Sequence, residues 1–176
     1  MHATLDLPIL HIADCTALAI KEKGLSTVGL LGTEPTMRCS AFLAVLSAQC
    51  LKQNWNRDGS WLKSRLASHG VAVKTPTDPA VLRRCYDIIC QELSFDIFKP
   101  ESAVFFMDQI KKFQEVGCQG VILGCTEIEL LITAEVAETA PIPVFRSAAI
   151  HIEAAAHVLA QKKVVADFMP PAETRQ

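Results

Sequence analysis

Apolar runs that lack the alternation of a half-exposed strand restrict this chain most. Thr27-Val28-Gly29-Leu30-Leu31-Gly32-Thr33 and Gly120-Val121-Ile122-Leu123-Gly124 are continuous stretches of apolar and small residues, and each closes on a glycine turn. A strand that is apolar at successive positions is covered on both faces, as in a parallel sheet between two helix layers. Helical patterns separate these runs. Residues 13–23 gather Ala13, Ala17, Leu18 and Ile20, with Asp14 as the expected cap and Gly24 as the stop. Beyond the cap-and-proline start Asp78-Pro79, a helix to about residue 93 presents Val81, Leu82, Cys85, Ile88 and Ile89 on one face. Further helices are expected over 37–49, from Trp61 toward Gly70, from Pro100 to Gly117, from Thr126 through Ala137, and over 148–162. Short strands are expected at 8–12, 71–76 and 141–145. The alternation predicts an α/β fold, an open parallel sheet flanked by helices on both faces and joined by right-handed crossovers.

Three parts follow along the chain. Residues 1–24 are an N-terminal segment and crossover helix, and 25–163 form the α/β domain. Residues 164–176 read as a tail that frays from Asp167. Inside the domain, residues 50–59 lose the helical pattern before an Asp58-Gly59 turn and read as a surface insertion. At 176 residues the chain is long enough for one domain with a real core. Its formal charge of −2 offers no basic footprint for nucleic acid, and no apolar run approaches the ~18 residues of a membrane span. Neither partner is expected. Seven cysteines are an odd number, scattered on helices and strands behind a start without a secretion signal, so reduced thiols in the cytoplasm are the expectation. Cys85 and Cys90 have no matching His or Cys pair, so no metal site is expected.

Chemistry concentrates behind the second glycine turn, in Gly124-Cys125-Thr126-Glu127-Ile128-Glu129. Thr126 and Glu129 have the spacing of a helix capping box. A thiol at that helix start would have its thiolate stabilised, and the thiolate is the reactive form. A small apolar cysteine packed at the end of a strand accounts for the same pattern, and on local grounds both readings stand. The first glycine turn repeats the architecture in Gly32-Thr33-Glu34-Pro35-Thr36-Met37. Open parallel sheets bind ligands beyond the carboxyl ends of their strands, where helix amides face anions. Thr33 and Thr36 are therefore candidates to hold a carboxylate, a role compatible with capping. His11, inside an apolar run, reads as a packed residue. No Walker loop and no Gly-x-Gly-x-x-Gly follows a strand, so no nucleotide site is signalled.

The pair Leu30-Leu31-Gly32-Thr33-Glu34-Pro35-Thr36-Met37 and Gly124-Cys125-Thr126-Glu127 resembles the aspartate/glutamate racemase family. Leu10-His11-Ile12-Ala13-Asp14 and Ile150-His151 add to the likeness. The resemblance runs from about Pro8 to Lys163, apart from the insertion. It implies a fold of two similar α/β halves, of which this chain holds one near-complete half, and a cofactor-independent racemase. Cys125 would be one of two catalytic thiols that move a proton at the α-carbon of a small dicarboxylic amino acid. Thr33, Thr36, Thr126 and Glu127 would line the substrate site. The resemblance further implies a preceding half with Cys-Asn-Thr or Thr-Asn-Thr, which nothing before Pro8 matches. Arg146 stands where the family often has an acidic residue. A chain with one wall of such a site could instead serve as a binding or partner domain. Its uncovered apolar surface predicts association, including homo-oligomers. A third reading, Cys125 as an acyl-transfer nucleophile, needs a nearby histidine, for which His151 alone suits by position.

Overall fold

The computed structural model describes residues 9–37 and 61–170. The expected helix over 37–49 therefore lies outside the described residues beyond Met37, and so does the insertion at 50–59. Four strands form one parallel sheet in the order β2-β1-β3-β4: β1 (Thr27–Leu31), β2 (Ala72–Lys74), β3 (Gly120–Leu123) and β4 (Val144–Arg146). Helices cover both faces. They are α1 (Ile12–Glu22), α2 (Glu34–Met37), α3 (Trp61–Ser68), α4 (Pro79–Gln91), α5 (Pro100–Glu115), α6 (Thr126–Leu131), α7 (Ala134–Glu138) and α8 (Ser147–Leu159), with 3-10 turns at Leu93–Phe95 and Val165–Phe168. No helix among the described residues is long and apolar enough to cross a membrane.

The two continuous apolar runs are the two inner strands. Val28, Leu30, Leu31, Val121, Ile122 and Leu123 are all essentially inaccessible to solvent. The flanking strands differ, since Ala72 and Lys74 of β2 are exposed. Gly29 admits the ring of Phe113 from α5 onto the sheet; a Cβ there would lie 2.6 Å from the ring. At the amino ends of β1 and β3 the Gln119 side-chain oxygen accepts from the amides of Ser26 and Thr27, at 2.8 and 3.1 Å.

At the carboxyl ends the same two strands come closer still. Leu31 pairs with Leu123, and the Gly124 amide donates to the Leu31 carbonyl at 2.7 Å. A Cβ on Gly124 would meet Leu30 Cδ1 at 2.8 Å, the Leu31 carbonyl oxygen at 3.2 Å and Thr36 Cγ2 at 3.2 Å. A Cβ on Gly32 would meet Thr36 at 3.2 Å and Cys125 Sγ at 3.6 Å. The two turns interlock because neither glycine carries a side chain.

Several local expectations are corrected. Residues 9–11 form no strand. The His11 ring caps α1, with Nδ1 accepting from the Ala13 amide at 3.1 Å, so packing and capping account for this residue. Asp14 is not the cap. It is 1% exposed and takes Arg65 Nε and Nη2 at 2.7 and 2.8 Å and His69 Nε2 at 2.9 Å, which ties α1 to α3. The expected helix from Thr126 through Ala137 is two helices, because Thr133 starts a new one by capping the Val136 amide at 3.4 Å. Thr126 and Glu129 form no capping box: Cys125 is the cap residue of α6, without a side-chain bond, and Glu129 turns to α8. Nor does the chain fray at Asp167. Asp167 closes the last 3-10 turn on the Val164 amide at 2.8 Å, and Phe168 packs with Cys15 and Ala154.

This packing makes two contacts testable. Burial alone would raise the Asp14 carboxyl, but Arg65 and His69 outweigh it and hold the group below the usual carboxylate range. Its contribution is thus present above the unfolded value and lost as pH falls through the lower folded value. Asp14→Asn should cost about 2 kcal/mol in urea denaturation at pH 7, since Arg65 keeps some solvent contact. That gap should shrink below about pH 4; a gap independent of pH would contradict the ion pair. Gly124→Ala, blocked partly by backbone, should cost about 2 kcal/mol. Gly32→Ala, which meets only side chains, should cost less, and the reverse order in denaturation would contradict the interlock.

Candidate active site at the carboxyl ends of the inner strands

The chain leaves β1 toward β2 on one side of the sheet and leaves β3 toward β4 on the other. The carboxyl ends of β1 and β3 are therefore the point where the connections diverge, and in open α/β sheets that divergence opens the crevice in which ligands bind. Thr33 and Cys125 each stand two residues past the ends of these strands.

Thr33 and Thr36 hydroxyls lie 2.9 Å apart, and the Thr33 carbonyl accepts from the Thr36 and Met37 amides at 3.0 Å each. This single turn, α2, holds both hydroxyls half-buried beside Cys125. Cys125 itself is half-buried, in extended backbone at the start of α6. Burial pushes its thiol above the ordinary cysteine value. Hydrogen bonding from the Thr33 backbone and from the Thr33 and Thr36 hydroxyls pulls it down, while the Glu127 carboxylate pushes it up, and the net direction is upward. The expected stabilised thiolate is therefore corrected: the resting group is a thiol. A helix of six residues carries a small dipole, and Glu127 sits in its first turn, where it offsets that dipole.

Thr33, Thr36 and Glu127 thus each act on Cys125. Thr126, the first residue of α6, is exposed there and leads the amides that no helical carbonyl takes. His151 does not join them through a bond to the thiol; its Nε2 is engaged with the Leu10 carbonyl at 3.1 Å. The acyl-transfer reading gains no support from it.

One neighbour lies beyond the reach of sequence spacing. Cys85 of α4 is wholly buried, its thiol is pushed up to about 12 by burial, and a thiolate at Cys125 would add to that push. Placement on the apolar face of its helix marks Cys85 as core, but spacing cannot bring it to Cys125. Among the described residues no group of three or more His, Cys, Asp or Glu side chains is arranged to hold a metal ion. A solvent-facing hollow of about 450 Å³ lies elsewhere, between Lys23, Glu138, Ile142 and Arg146.

Comparison with known proteins bears on the family and the fold. A family model for Asp/Glu/hydantoin racemases matches residues 54–155. The structure of a presumed Asp/Glu racemase from Yersinia pestis superposes with a TM-score of 0.69 at 38% identity, over 88% of this chain and 57% of that one. An aspartate racemase homologue from Pyrococcus horikoshii gives 0.68 at 28% identity, over 89% of this chain and 58% of that one. The aspartate racemase of Picrophilus torridus, at 18% identity and a TM-score of 0.51, shares the fold. The chain therefore spans a little under three-fifths of the length of these neighbours. With the racemase model matched over more than half of its residues, this chain belongs to the Asp/Glu/hydantoin racemase family.

Proposed function

We propose that this chain carries one wall of an amino-acid racemase site, with Cys125 as an acid/base at the α-carbon of a small dicarboxylic amino acid. The observation that supports it most is the meeting of the Cys125 thiol with the Thr33 and Thr36 hydroxyls at the diverging strand ends. The hydroxyls and the free amides at the start of α6 are donors suited to a substrate carboxylate, and Thr126 and Glu127 border the same spot. In the base form, the Cys125 sulfur takes the α-proton. The C–H bond breaks, an S–H bond forms, and the electron pair stays on the α-carbon. In the acid form the thiol returns a proton to that carbon. Preorganised donors on the carboxylate side stabilise the carbanion-like transition state without an added cofactor. One base working from one face exchanges the α-proton; inversion needs a second donor on the opposite face.

The resting thiol sets a pH dependence. Its raised value leaves the base form in the minority at pH 7, so α-proton abstraction should climb with pH until the thiol titrates above the ordinary cysteine value. The test is incubation with L-aspartate and with L-glutamate in deuterium oxide, following the α-proton by NMR, with chiral analysis alongside. Exchange that rises with pH and is lost in Cys125→Ser is the expected result. Absence of exchange by a folded sample, or exchange indifferent to Cys125→Ser, would reject catalysis and favour a binding domain.

A further inference from the structure

Glu129 belongs to α6, yet its carboxylate serves another helix. It is 4% exposed and accepts from the amides of Ala148 at 2.7 Å and Ala149 at 3.2 Å, with Ser147 Oγ at 3.5 Å. These are first-turn groups of α8, whose own cap residue, Arg146, makes no side-chain capping bond. Arg146 reaches back instead: its Nη2 donates to the Glu129 carbonyl at 3.3 Å, and its Nε, sealed from solvent, faces the Glu129 carboxylate at 3.9 Å. A third strut comes from Ser147 Oγ, which donates at 2.6 Å to the carbonyl of Leu123, two residues before Cys125.

We propose that Glu129 is a positioning residue for the Cys125 turn, acting as the cap of α8 supplied across space and clasped in return by Arg146. A six-residue helix cannot stand on its own hydrogen bonds. With its start on Cys125 and Glu129, its fourth residue, anchored in the first turn of α8, α6 is held at two points, and the burial of the thiol is set by that anchor. The catalytic meaning of the clasp rests on the acid/base reading of Cys125; the clasp itself does not.

The test reads Cys125 rather than turnover, so its outcome does not depend on whether the chain exchanges an α-proton. Iodoacetamide labelling is followed at the Cys125 peptide by mass spectrometry across pH, beside thermal melting, in the parent, Glu129→Ala, Glu129→Gln, Arg146→Asp and the double variant Glu129→Ala/Arg146→Asp. Glu129→Ala should lower Tm by about 4 °C. It should also speed Cys125 labelling several-fold and move its midpoint down toward the ordinary cysteine value as the turn opens to water. Arg146→Asp alone should also lower Tm, since two carboxylates then crowd one helix end. In the double variant the new carboxylate caps α8 from its own cap position, and Tm should recover. Glu129→Gln keeps an acceptor oxygen and should fall between parent and Glu129→Ala, which serves if the latter does not fold. A drop in Tm with Cys125 labelling unchanged, or a double variant no better than Glu129→Ala, would overturn the proposal.

Discussion

The interlock of two glycine turns is the constraint on which the site depends. Leu31 and Leu123 pair as the last residues of the inner strands, and the Gly124 amide extends that ladder by one bond. Beyond it, Thr36 fills the notch that Gly32 and Gly124 leave open, and Cys125 Sγ lies against Gly32. A methyl group on Gly124 would wedge the turns apart, and one on Gly32 would press on Thr36. Backbone bonding, the absence of two side chains and the placement of three functional groups are thus one arrangement. The parallel topology puts it where the chain connections diverge, the place at which open α/β sheets bind their ligands.

Electrostatics at this spot favour a poised thiol over a standing thiolate. Burial against the core raises Cys125 and Glu127 adds to the rise, while the threonine hydroxyls and the Thr33 backbone oppose both. A group so balanced keeps its proton at rest and accepts one only as the thiolate, which is compatible with the proposed acid/base role. Elsewhere, the buried Asp14 with Arg65 and His69 fastens α1 to α3. The site can therefore lie at a strand edge without loosening the layers behind it.

The strands, the helix alternation and both glycine turns were legible because each is a local pattern: apolar continuity, a glycine stop, a proline start. Two expectations failed because their partners lie far along the chain. Thr126 and Glu129 have capping-box spacing, but Arg146 supplies no carboxylate to α8, and the Glu129 carboxylate goes to the amides of Ala148 and Ala149 instead. Asp14 had the look of a local cap, but Arg65 and His69, 51 and 55 residues on, claim it. Thr133 breaks the expected long helix by capping its own successor, a competition that periodicity alone does not resolve. The thiolate expectation counted the helix dipole and omitted desolvation, because burial of Cys125 is a property of the assembled sheet.

In the proposed site, Thr33 and Thr36 hold a substrate carboxylate against the Cys125 thiol. The most direct measurement of this is protection: the rate at which iodoacetamide labels the Cys125 peptide, with increasing aspartate or glutamate present. Saturable protection is expected, and it should disappear in Thr33→Val/Thr36→Val while labelling of that variant without amino acid continues. Labelling of Cys125 that no dicarboxylic amino acid slows, or protection that survives loss of both hydroxyls, would contradict it.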